Sequence, residues 1–152
     1  MSGVTGAGKA TGREAELDEA FAALARDMRA HGYRRDDPMR EIFALLGDRW
    51  SMLILLVLGA KPCRHAELRR VLGALSAEGR ISQRVLTLKL RVLERDGLVE
   101  RSVSDDVPPK VGYALSAMGA EMLGEANRLM AWIKDNGAQI EGARAIFDKT
   151  EG

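Results

Sequence analysis

Gln83, Arg84, Thr87, Lys89 and Arg91 fall within nine residues of one another, in the stretch ISQRVLTLKLRVLERDG. A glutamine amide suits an adenine edge, and an arginine fork suits guanine. Further cations and hydroxyls on the same surface can hold phosphates. Such chemistry needs a rigid helix, and the neighbours supply one. Ser82 is a good N-cap, its hydroxyl free to accept from first-turn amides. Val85, Leu86, Leu90 and Leu93 recur at helical spacing and predict one apolar face. Gln83, Arg84, Thr87, Leu88, Lys89 and Arg91 fall largely on the other side. Gly97 is placed to end the helix.

Two short strand-like runs follow, Leu98 to Ser102 and Val111 to Leu115, around a Pro-containing loop. A helix with a polar, basic face followed by a hairpin is the layout of a winged helix. Its helix fits the DNA major groove. In the wing, Lys110 is a candidate for the minor groove or a phosphate. Asp105 and Asp106 would repel phosphate and limit how deep the tip enters. Upstream, HAELRRVL (His65 to Leu72) predicts a helix with Ala66, Leu68 and Leu72 inward. Its Arg69 and Arg70 join the candidate DNA contacts. Gly73 to Arg80 is a loop or one extra turn. Two helices before a hairpin make a helix-turn-helix with a wing. Lys61 to Arg64 is a candidate short strand that pairs with the hairpin.

The remaining elements must support this unit. WSMLILLVL (Trp50 to Leu58) is ambiguous by period between helix and buried strand. It is read as a helix, because Asp48 can cap it and Gly59 can close it, and as the central core element. Asp37 and Pro38 open an earlier helix, with Met39, Ile42, Phe43, Leu45 and Leu46 apolar. Glu14 to His31 carries a stripe of Leu17, Phe21, Leu24 and Met28 and ends at Gly32. Ser116 caps a last helix to about Asn136, interrupted at Gly137, with helical turns beyond. The expected domains are a disordered tail (1–13), an N-terminal dimerisation helix (14–33), the winged helix-turn-helix (34–115) and C-terminal dimerisation helices (116–148). The fold class is mainly α with a small β-hairpin.

The chain has 152 residues, 46% apolar and 30% charged, which suits one globular domain with helical extensions. Its net charge of +1 hides an asymmetry: Lys61 to Arg101 holds ten basic and five acidic residues. A local basic excess in a near-neutral protein suits a bound polyanion. No apolar run is long enough to span a membrane, and the first dozen residues lack a signal-peptide core. One cysteine, Cys63, excludes an intrachain disulfide and points to a reducing cytoplasm. Two histidines, His31 and His65, are too few and too scattered for a metal site. No phosphate loop, catalytic triad or partnered carboxylate pair appears, so neither a cofactor nor an enzyme is expected.

The segment from about Pro38 to Trp132 resembles the HxlR family of bacterial winged-helix regulators, related in architecture to MarR-type regulators. The resemblance rests on Pro38-Met39, Gly47-x-x-Trp50 with the apolar run after it, and Glu67-Leu68-Arg69-Arg70. It continues with Ile81-Ser82-Gln83-Arg84, Leu86-Thr87-x-x-Leu90, and Leu93 to Val99. Val107-Pro108-Pro109-Lys110-Val111, Tyr113 with Leu115, and Gly119 complete it. Each piece is weak alone, but their order and spacing are specific. The resemblance implies a dimer that binds a near-palindromic operator. Two departures stand out. Asp37 occupies the position where many members carry a cysteine. Leu72 to Ile81 is several residues longer than the usual turn.

The leading expectation is therefore a dimeric, sequence-specific DNA-binding regulator, a repressor of an adjacent gene. The alternative is a winged-helix module that binds protein instead of DNA. A small-molecule effector would find its pocket near Trp50, Leu53, Ile54 and Met39. Cys63 is expected to be a packed core residue and not a redox sensor.

Overall fold

The computed structural model describes residues 19–32 and 34–152, and the chain forms two units, 1–45 and 46–152. The expected tail, and residues 14–18 of the expected first helix with Leu17, lie outside the described residues. In the first unit, α1 (Glu19–Ala30) leaves Phe21, Leu24 and Met28 exposed. Gly32, at φ +132°, follows its end. Helix α2 (Pro38–Gly47) starts at the expected proline. Asp37 Oδ1 accepts from the Met39 amide at 3.0 Å, the expected cap.

The second unit is built around α3 (Arg49–Ala60), which resolves the apolar run as a helix. Asp48 Oδ2 accepts from Ser51 N (2.9 Å) and Ser51 Oγ (2.6 Å), anchoring its first turn. Ile54 and Leu55 are fully buried, and Val57 and Leu58 nearly so. Helix α3 packs against α4 (His65–Leu75), α5 (Gln83–Arg95), α6 (Ala117–Glu151) and the strand β3 (Val111–Leu115). An element with so many neighbours must be apolar on most sides, which removes the period that would have identified it.

The sheet has the order β1-β3-β2 and is antiparallel, with β1 at Cys63–Arg64 and β2 at Val99–Val103. Cys63 and Arg101 both pair with Tyr113, from opposite sides of β3. The expected short strand before α4 therefore forms and joins the hairpin. Helix α4 runs one turn past Leu72 before a loop takes the chain to Ser82. Arg49 Nη1 donates to Glu78 Oε1 and ties that loop to α3.

Leu86, Leu90 and Leu93 of α5 are buried to 1% exposure or less. Leu90→Ala would cost about 2–5 kcal/mol by lost burial and the cavity left behind. Val85 is 37% exposed, which corrects its assignment to the core face. It sits one residue, 100°, from Leu86 and so turns off a stripe that Leu86, Leu90 and Leu93 already fill. Gly97, at φ +76°, closes the helix: Gly97 N donates to Glu94 O and Leu98 N to Leu93 O. This is the paired pattern that satisfies the last carbonyls and needs a left-handed residue.

Ser116 caps α6 by accepting from Gly119 N at 2.9 Å, and its hydroxyl donates to Gly97 O. A Cβ on Gly119 would collide with the Leu98 carbonyl, so α6 lies directly on the turn that ends α5. The helix then continues unbroken to Glu151, through Gly137, where an interruption was expected, and through Gly142. A glycine costs a helix interior only about 1 kcal/mol. Neighbours such as Lys134, Ala138 and Gln139 favour the helix. At 1.5 Å per residue α6 is roughly 50 Å long. Beyond Ala126 none of its residues is buried, and Leu129, Trp132, Ile133, Ile146 and Phe147 stay exposed. Among the described residues no single helix is long and apolar enough to cross a membrane.

Candidate nucleic-acid interface

Ser82 caps α5 as expected, Oγ accepting from Val85 N at 3.1 Å. With the helix fixed, its outer side presents Gln83, Arg84, Leu88 and Arg91, all exposed. None of the arginines on this side is ion-paired with a described residue. Val85, Leu88 and Val92, at 37%, 54% and 50% exposure, add an apolar line beside the polar groups. Polar forks next to exposed aliphatic groups suit a major-groove edge, where hydrogen-bonding atoms alternate with thymine methyls.

Two expected contacts have other partners. Lys89 Nζ lies 3.0 Å from Asp48 Oδ1, so its charge is directed to the start of α3. Thr87 Oγ1 donates to Gln83 O at 2.8 Å and lies 3.2 Å from His65 Nε2. Its one proton is committed to the backbone, and its oxygen accepts from the histidine ring. Arg69 is also engaged, Nε donating to Ile81 O at 3.0 Å, which leaves its terminal nitrogens outward. Arg70 is exposed beside it. With Arg80, these arginines line a cleft of about 520 Å³ between α4 and the loop before α5.

Lys110 sits at the base of the wing loop. Its amide donates to Ser104 Oγ and its carbonyl accepts from Ser104 N, both at 2.9 Å, closing the loop below Asp105 and Asp106. Lys110 also borders a second cleft, of about 440 Å³, with Arg64, His65, Gln83, Thr87 and Arg101. Arg64, His65 and Arg101 were not among the residues expected from sequence. They come from three separate elements, and only the β1-β3-β2 pairing brings them to Gln83. The one signal for Arg101 in the sequence was its place in the basic segment from Lys61 to Arg101.

The expected pocket residues Trp50, Leu53, Ile54 and Met39 line neither cleft, and Ile54 is packed into the core. Cys63 is 4% exposed, with Sγ 3.5 Å from Lys61 O. Burial, reinforced by Glu67 and only partly offset by Lys61, pushes its thiol above the ordinary value. Such a thiol is a poor nucleophile at neutral pH. Among the described residues no group of three His, Cys, Asp or Glu side chains could hold a metal.

Two helices joined by a short loop, a three-stranded wing and an outward-facing polar helix define a winged helix-turn-helix protein. The chain belongs to the HxlR-like helix-turn-helix family, whose model matches residues 45–141. The HTH-type transcriptional regulator YdeP of Bacillus subtilis (strain 168) is 34% identical over 124 residues, covering 77% of this chain and 92% of the relative. The structure of ytfH from Salmonella typhimurium matches with a TM-score of 0.61 and 30% identity, over 76% of this chain and 97% of that one. HypR, a redox regulator solved in its reduced form, matches with a TM-score of 0.58 and 31% identity, over 70% of this chain and 99% of its own. The chain is thus a DNA-binding transcriptional regulator of the helix-turn-helix type.

Proposed function

We propose that this regulator acts as a homodimer on a near-palindromic operator, as a repressor of an adjacent gene in the cytoplasm. The observation that carries the reading is the outer side of α5. The side chains of Gln83, Arg84 and Arg91 are exposed with no partner among the described residues, beside Leu88, on a helix braced by three buried leucines. Arg70 and Lys110 flank it as phosphate contacts, with Arg69 held against the loop. Ser82 fixes the start of the helix, and Thr87 fixes its register against α4. Lys89 supports the helix from behind.

The exposed apolar stripes of α1 and α6 support the dimer. Stripes of this length are a liability on a free monomer and are normally covered. Two copies joined there would set two recognition helices about 34 Å apart, one turn of DNA. The buried thiol argues for control by a small molecule, or for none, over control by oxidation.

The test is selection of preferred sites from a random duplex pool, followed by affinity measurements over a range of salt. A two-fold symmetric site about one helical turn between half-site centres, with affinity falling steeply as salt rises, is expected. Binding that ignores sequence at every salt concentration would contradict the reading.

A further inference from the structure

The cleft between the start of α4, the first turns of α5 and the wing has Ala66, Val111 and Tyr113 in its walls beside basic and neutral polar groups, and no acid borders it. Arg64 enters from β1, Arg101 from β2, and Lys110 from the wing loop. None of the three is ion-paired with a described residue. His65 stands between them, half-buried, its ring 6.2 Å from that of Tyr113 at a tilt of 54°.

The hydrogen bonds favour one tautomer of this ring. With the Thr87 proton assigned to Gln83 O, His65 Nε2 is the donor across their 3.2 Å contact. In the neutral ring Nδ1 is then an acceptor, and it has no partner among the described residues. Protonation leaves the Thr87 bond intact and turns Nδ1 into a second donor. The charged ring therefore fits the same geometry, opposed by burial and then by the neighbouring cations. Those facing it are Arg64 from β1, Arg69 from its own helix, and Arg101 and Lys110 from the wing. From α5 it meets the neutral Gln83 and Thr87, and from β3 the Tyr113 ring.

We propose that a DNA backbone phosphate seats in this cleft against Arg64, Arg101 and Lys110, and that His65 takes up a proton as it does so. The inference rests on the DNA-binding reading above and adds a contact and a proton linkage to it. In the free protein, burial and then Arg69 hold the ring below its ordinary value, so it is neutral near pH 7. A phosphate arriving within about 4–6 Å reverses the local field and favours the imidazolium. Binding is then coupled to proton uptake between the lowered free value and the raised bound one. Affinity rises as pH falls through that window and levels off below the free value.

Duplex binding measured from pH 8 to 5.5 at fixed ionic strength tests this, with wild type, His65→Gln and His31→Gln compared. A glutamine amide can keep the donor to Thr87 but takes no proton. Wild type and His31→Gln should gain about threefold to tenfold in affinity as pH falls. His65→Gln should show no such gain. Arg101→Ala and Lys110→Ala, which leave the Thr87 contact untouched, should each reduce the salt dependence by about one contact and weaken the pH response. An equal pH response in wild type and His65→Gln, or none in wild type, overturns the proposal while leaving DNA binding intact. Failure of wild type to bind any duplex at any pH overturns the DNA-binding reading itself.

Discussion

Lys89 Nζ reaches Asp48 Oδ1 at 3.0 Å, so α5 is bonded to the same carboxylate that caps the central helix of the core. One side chain thus serves fold and site together. Burial alone would raise the Asp48 carboxyl. The Ser51 hydrogen bonds and Lys89 outweigh that and hold it below its ordinary value. A depressed folded value means a contribution to stability that is complete above the unfolded value. It is lost as pH falls through the folded value. Thermal unfolding from pH 6 to 3 should show Asp48→Asn less sensitive to acid than wild type. Asp48→Ala should cost about 0.5–2 kcal/mol at neutral pH, as lost caps do. Lys89→Ala should leave the salt dependence of DNA binding unchanged, since its charge already has a partner. A shallower salt slope in that variant would return Lys89 to the phosphate contacts.

Leu88 is the apolar reader of the helix in this account. Replacing thymine by deoxyuridine at a contacted position removes only a methyl group. Wild type should lose affinity at one such position in each half-site, and Leu88→Ala should not discriminate there. Equal losses in both proteins would remove Leu88 from base readout.

The exposed run of Leu129, Trp132 and Ile133 on α6 is assigned to the dimer interface. Trp132→Glu with Ile133→Glu should sediment as a monomer at micromolar concentration, with helix content retained. The monomer should also lose preference for two half-sites over one. A dimer that survives both changes would move the interface elsewhere.

Cys63 should not act as a switch. Its buried, raised thiol predicts slow modification and equal operator binding by wild type and Cys63→Ser under mild peroxide. Release of wild type alone by peroxide would make Cys63 the sensor.

Much of this was legible in sequence because local signals agreed. Ser82, Gly97 and Ser116 mark helix ends by side-chain and backbone chemistry that needs no tertiary context. The hairpin and the strand before α4 were readable from short runs bounded by turns. Gly137 misled because a glycine weakens a helix without necessarily breaking it. Val85 misled because adjacent apolar residues cannot both face a narrow core stripe. The partners of Lys89 and Thr87 were hidden for a different reason. Asp48 and His65 lie 41 and 22 residues away in the chain, and only the packing of α3, α4 and α5 brings them together.

The central claim is that the outer side of α5 reads DNA sequence, and Arg84 tests it most directly. Affinity of wild type and Arg84→Ala should be compared on the selected site, on that site with single base changes, and on unrelated duplex. The account expects Arg84→Ala to lose about 1–3 kcal/mol on the selected site and to relax discrimination at one base pair per half-site, with little change on unrelated DNA. An equal loss on every duplex would reduce Arg84 to a phosphate contact. No loss on any DNA would contradict the account.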